Sequence, residues 1–133
     1  MIRIIVFLVF GAFFMLSSCK KKGSSLCKLH QFGTFEMLDT STGRDIIYTI
    51  TRENNLQIER NDLNDDVATY KVKWLNDCTY SLTLKEGPTW LQGIWGTRVL
   101  TVQILDPTTE QYAFRAKFSD SDQIISNTIK KIN

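Results

Sequence analysis

From Phe32 onward, apolar side chains recur at every second position, and that spacing is what most restricts the fold. A period of two places alternate side chains on opposite faces of a strand, whereas a helix repeats about every 3.6 residues. Phe35 and Met37 alternate with Thr34 and Glu36, and Ile46, Tyr48 and Ile50 alternate with Thr49 and Thr51. Leu56 and Ile58 continue the series after Asn54-Asn55, a pair that tolerates positive φ and suits a tight hairpin. Tyr70, Val72 and Trp74 share a face away from Lys71 and Lys73. Cys78, Tyr80, Leu82 and Leu84 share another, away from Thr79, Ser81, Thr83 and Lys85. Parity limits the turn between these two strands. A two-residue loop at Asn76-Asp77 sets Trp74 against Thr79, whereas the three-residue loop Leu75-Asn76-Asp77 sets it against Cys78 and keeps apolar opposite apolar. The second register is predicted, with Trp74 packed over Cys78.

Leu100, Val102 and Ile104 form a further face. After an Asp106-Pro107-Thr108-Thr109 turn, Tyr112, Phe114, Ala116 and Phe118 form the next. A last strand from about Gln123 to Ile132 alternates poorly, which predicts a bulge or an edge position. About eight strands joined by short polar turns, with no crossover helix, predict an all-β domain over residues 32–133. Its antiparallel meander is expected to close as a lipocalin-like small barrel or to fold as a two-sheet sandwich.

The start of the chain reads differently. Arg3 precedes an apolar stretch from Ile4 to Leu16, followed by the small pair Ser17-Ser18. That stretch has the charge, length and flanks of an export signal. The alternative is an uncleaved membrane anchor, which needs about 20 apolar residues and finds fewer here. The tetrad Leu16-Ser17-Ser18-Cys19 resembles the lipobox of bacterial lipoproteins. The resemblance implies a signal helix over residues 1–18 that is removed, a covalent lipid on Cys19, and a basic tether over residues 19–31. One acyl chain holds a protein only marginally to a membrane, and two or three hold it durably. Lys20-Lys21-Lys22 can meet anionic headgroups at about 1 kcal/mol each, or serve simply as a solvated spacer. In lipoproteins of the Bacteroidetes an acidic stretch beside the anchor marks export to the cell surface. Its absence after Cys19 implies a cell-envelope protein facing the periplasm from the inner or outer membrane.

The formal net charge of +2 is unevenly placed. Without Arg3 and Lys20-Lys21-Lys22, twelve basic side chains face fourteen acidic ones. A nucleic-acid partner, which needs basic residues gathered on the domain, is therefore not expected. Of three cysteines, lipidation uses Cys19 and leaves Cys27 and Cys78, 51 residues apart. In an oxidising compartment these two are predicted to form a disulfide. A reactive thiol and a metal site are the competing readings. His30, the one histidine, is too isolated to complete metal-ligand spacing and reads as a surface or linker residue.

The run from Tyr70 through Lys71-Val72-Lys73-Trp74-Leu75-Asn76-Asp77-Cys78-Thr79 to Tyr80, with Cys27 upstream of Phe32-Gly33-Thr34-Phe35, resembles small lipoproteins of the Bacteroidetes. That resemblance spans most of the domain and carries no activity with it. No Gly-x-Ser-x-Gly elbow, Gly-rich phosphate loop or metal-ligand spacing occurs, so neither an enzyme, a cofactor nor a metal is expected. Asp65-Asp66 and the Asp120, Asp122 pair read as solvated loop carboxylates. Asp62-x-Asn64-x-Asp66 opens like a calcium loop, but Val67 stands at the glycine position and Lys73 at the twelfth.

The most distinctive stretch, Glu86 to Thr97, sets Trp90 and Trp95 in a glycine-punctuated connection too irregular for a strand. Either both tryptophans cap the barrel as core, or they flank a binding site at its mouth. The expected function is that of a membrane-anchored envelope lipoprotein whose domain binds an apolar small molecule, a lipid-like group or an envelope protein near Trp90 and Trp95. The alternative is a protein-interaction or inhibitor module similar to the small membrane-bound lysozyme inhibitors, which use a protruding loop instead of a cavity.

Overall fold

The computed structural model describes residues 20–133. The expected signal segment over residues 1–18 and Cys19 lie outside the described residues. The elements run α1 (Lys20–Lys28), β1 (Gly33–Asp39), β2 (Ile46–Glu53), β3 (Leu56–Asn61), β4 (Val67–Asn76), β5 (Thr79–Glu86), α2 (Thr89–Trp95), β6 (Val99–Leu105), β7 (Gln111–Phe118) and β8 (Ile125–Lys131). All eight strands pair antiparallel with their sequence neighbours, and β8 returns to β1, so the sheet closes into a barrel. Of the two forms expected, the barrel is adopted and the sandwich is not.

Alternation supplies the interior. Phe35 faces Ile50, Val72 faces Leu82, Tyr80 faces Val102 and Ile104 faces Phe114 across neighbouring strands. Seven of these eight side chains sit deep in the core, and Phe114 lies at its margin. Asn54 (φ 48°) and Asn55 (φ 63°) make the β2–β3 hairpin, both left-handed as its twist requires.

That same hairpin overturns the expected face of β3. With Glu53 paired to Leu56, Arg52 stands opposite Gln57 and Ile50 opposite Glu59, so Gln57 and Glu59 point inward while Leu56 and Ile58 fall on the outer face. Swapping faces would need a one-residue slip that the tight turn forbids. The β4–β5 turn also differs from expectation. Asp77 and Cys78 form it, Asn76 pairs with Thr79, and Leu75 is bulged out so that Trp74 pairs with Tyr80 and not with Cys78. The bulge restores the parity that a longer loop was expected to supply, and the Trp74 and Tyr80 rings lie 4.7 Å apart. β8 is no edge either. It pairs with β7 along its length and meets β1 at Phe35–Lys131 and Glu36–Lys130. Thr34 N–H donating to Asn133 O (2.8 Å) and Ile132 N–H donating to Thr34 O (2.9 Å) extend this short seam.

An up-and-down barrel has two ends. The β2–β3, β4–β5 and β6–β7 turns gather at one, with α1. The β1–β2, β3–β4 and β7–β8 connections gather at the other, with α2. Part of the expected tether is thus a docked helix. Gly23, Ser24 and Ser25 are poor helix formers, so α1 depends on its attachments. Buried Cys27 is bonded to Cys78 (S–S 2.09 Å), as the cysteine arithmetic predicted. The Ser24 hydroxyl donates to the Asp77 carboxylate, and Lys28 lies 3.9 Å from it. No helix among the described residues is long and apolar enough to cross a membrane.

Candidate functional site

The barrel end beneath α1 is filled by a polar cluster built on Arg52. Its Nε donates to Gln57 Oε1 (2.6 Å), Nη1 to the His30 carbonyl (2.8 Å), and Nη2 to the hydroxyls of Tyr80 (2.7 Å) and Tyr112 (2.5 Å). The guanidinium carbon also lies 4.8 Å from the Phe35 ring centroid and 4.7 Å from that of Tyr80. Burial works against this charge, yet the Tyr112 and Tyr80 oxygens, with Glu59 further off, raise its pKa overall. Burial likewise lifts the Tyr80 hydroxyl well above the ordinary tyrosine range. Every donor group of the guanidinium has a partner inside the protein, which is how a buried cation is tolerated.

His30 belongs to the same cluster, contrary to its reading as a surface or linker residue. It is 0% exposed, because Cys27 and the residues after α1 carry the chain across the barrel end. Its Nε2–H donates to Thr108 O (2.7 Å), and Nδ1 is buried without a partner. Burial lowers its pKa, and the nearby Lys131 and Arg52 charges add to that. The imidazole is neutral there, since a proton on Nδ1 would find no acceptor.

The opposite end is hollow. A cavity of ≈ 330 Å³ opens beside α2, and a second of ≈ 160 Å³ lies deeper in the barrel. They share Met37, Glu59, Tyr70, Trp95, Leu100 and Ile125, so the two form a mouth and an inner chamber. α2 shapes the mouth. Pro88 precedes it and its carbonyl accepts from the amides of Leu91 and Gln92 (both 3.0 Å), while Gly96 ends it at φ 53°. The stretch expected to be irregular is a short helix because those two residues punctuate it.

Helical spacing separates the two tryptophans. Trp95 is 8% exposed, with its ring 4.9 Å from both Tyr70 and Phe118. Trp90 is 56% exposed on the rim, where its indole N–H donates to Asp66 Oδ2 at 3.4 Å. Both line the mouth, yet only Trp95 also serves as core.

The mouth carries three carboxylates, Asp39, Glu59 and Asp66, and among the described residues no Lys, Arg or His lines it. Glu59 is the deepest of these, reaching both chambers. Oε1 accepts from Gln57 Nε2 at 2.7 Å. That is the carboxylate's one hydrogen bond among the described residues, and Glu59 is partly exposed where it lines both chambers. Desolvation raises its pKa above 4.5, while the Gln57 bond and the Arg52 charge pull it back. Burial first, then Glu59, also raises Tyr70; burial, Asp39 and Glu59 raise Tyr48.

Glu59 was not among the sequence candidates. Its signal was present in the hairpin: Tyr48, Ile50 and Arg52 share parity, and counting across Asn54-Asn55 carries that face onto Gln57 and Glu59. The other carboxylates behave as loop charges, Asp120 bonded to Arg98 (2.8 Å) and Asp122 near Lys117 (3.3 Å). No group of three or more potential metal ligands occurs among the described residues. No protein-family model, curated protein or solved structure matches the chain.

Proposed function

We propose that the chain is a membrane-anchored lipoprotein of the cell envelope whose barrel holds an apolar small molecule or lipid-like group in the cavity behind Trp90 and Trp95. The observation that carries this reading is the two-chambered interior, open at one end and walled mainly by apolar side chains. Eight-stranded barrels have just enough room for one small ligand when their side chains do not fill them. The inhibitor-type alternative calls for a protruding loop over a packed interior, and here the connections are short and the interior is open. The proposed role is binding, not turnover.

Anchoring at Cys19 sets the orientation. α1 begins at Lys20 and docks on the filled end, so the mouth opens away from the membrane that holds the protein. Native mass spectrometry of the full chain, released gently from its membrane, tests the reading. Extra mass that leaves on mild activation supports it, and a bare chain at every setting counts against it. Labelled fatty acid should enter the wild type and not Cys19→Ala, and label persisting in that variant would refute the anchor.

A further inference from the structure

Four features of the cavity bear on what enters it. First, its wall is rich in aromatic faces: Tyr48, Tyr70, Trp90, Trp95 and Phe118. Second, its charged lining is of one sign, Asp39 and Asp66 at the mouth and Glu59 within. Third, the nearby cations are already committed: Arg98, 3.8 Å from the Phe118 ring centroid, is paired with Asp120 at 2.8 Å and lines neither chamber. Arg52 lines neither chamber, all its donor groups are bonded inside the filled end, and it reaches Glu59 only through Gln57. Fourth, Glu59 lines both chambers, and its carboxylate has Gln57 as its one hydrogen-bond partner among the described residues. A carboxylate kept there costs desolvation that a glutamine or leucine would avoid, and such a cost is sustained where a ligand relieves it.

Resting on the binding reading above, we infer that the ligand carries a cationic nitrogen, an amine or quaternary ammonium on an apolar body, with the nitrogen at Glu59 among the rings of Tyr48, Tyr70 and Trp95. Aromatic faces attract such a cation through their quadrupoles, most strongly where water is excluded. The carboxylate adds a charge-assisted partner. A fatty carboxylate is disfavoured by the same lining, because its head would sit against Glu59, Asp39 and Asp66 with no Lys, Arg or His among the described lining residues to receive it. The shared chemistry covers both a free amphiphilic amine and the ammonium of an aminolipid headgroup.

The test uses hexylammonium, 1-hexanol and hexanoate, which share a chain and differ in head. Each is titrated by calorimetry into the full chain in dodecyl maltoside micelles, with empty micelles as blank. Hexylammonium should bind about tenfold more tightly than hexanol, with hexanoate weakest. Glu59→Gln should abolish that preference, bringing hexylammonium to within about twofold of hexanol. Hexanol binding as well as hexylammonium would overturn the inference and leave the cavity reading standing, whereas failure of all three probes would remove both. A preference that survives Glu59→Gln would overturn the role given to that residue. Phosphatidylethanolamine added to the micelles distinguishes the sources, since competition assigns the nitrogen to a lipid headgroup and indifference to a free amine.

Discussion

The two ends of the barrel each hold a charged side chain, Arg52 buried at one and Glu59 partly exposed at the other, and they treat it in opposite ways. At the filled end the Arg52 guanidinium is bonded to a side-chain amide, a carbonyl and two hydroxyls, with aromatic rings against it. At the hollow end the Glu59 carboxylate has one hydrogen-bond partner among the described residues, Gln57, and lines open space in both chambers. A buried charge bonded at each of its nitrogens holds a structure together, and a charged group with bonding capacity left over is available to something else. Gln57 joins the two, giving its oxygen to the cation and its amide to the carboxylate.

Substitutions that treat the ends unequally bear directly on this contrast. The largest effect is expected from Arg52→Met, which strands Tyr80, Tyr112, Gln57 and the His30 carbonyl together and should cost about 3–5 kcal/mol in urea unfolding. A loss below about 1 kcal/mol would dissolve the distinction between the ends. Trp95→Ala should cost about 3 kcal/mol by emptying the packing against Tyr70 and Phe118. Trp90→Ala should change stability by under about 0.5 kcal/mol and weaken ligand uptake instead. Equal destabilisation by the two would make the rim part of the core.

Breaking the Cys27–Cys78 bond by serine substitution should cost about 2–4 kcal/mol, and its effect should be confined to the filled end. Hydrogen exchange at β4 and β5 would show it, and loosening of α2 would contradict it. The smallest effect is expected at Glu59. Its folded pKa is raised, so its favourable contribution is complete below pH 4.5 and is lost as pH rises through the folded value. Of the groups facing it, Arg52 keeps its charge throughout, and Tyr48 and Tyr70 stay neutral because their pKa values are also raised. Glu59→Gln should therefore raise the thermal midpoint near pH 7 and not at pH 4. His30 acts in the other sense: with its pKa lowered, its contribution is present above 6.5 and is lost as pH falls through the folded value. In Glu59→Gln, stability should consequently rise more steeply with pH over this range than in the wild type, and an unchanged slope would remove Glu59 from the titration.

What could be read from the sequence follows from which rules act locally. The strands, their faces and the Asn54-Asn55 turn are set by neighbours in the chain, and of the strands β1 to β7, for which a face was expected, all but β3 matched it. β3 failed because its own alternation, Leu56 and Ile58, was read in isolation, whereas the hairpin register decides which face turns inward. The Cys27–Cys78 bond was legible because the lipid expected on Cys19 leaves two thiols and one pairing. His30 was not, because its burial depends on where α1 and Thr108 meet, 78 residues apart in sequence. Trp90 and Trp95 stand out in the sequence because both fall in one glycine-punctuated connection. Their separation into rim and core needed α2, whose Pro88 and Gly96 were visible yet were read as loop punctuation.

The sulfur bridge has a mechanical consequence. The seam between β1 and β8 is the weakest closure of the barrel, and β1 is the first strand after the N-terminal segment. Tension applied through that segment would ordinarily peel β1 away and unzip the sheet from its shortest joint. Instead the load leaves the main chain at Cys27, crosses to Cys78 and is borne by the β4–β5 hairpin on the far side of the wall. The protein can be pulled through its N-terminal segment without being opened.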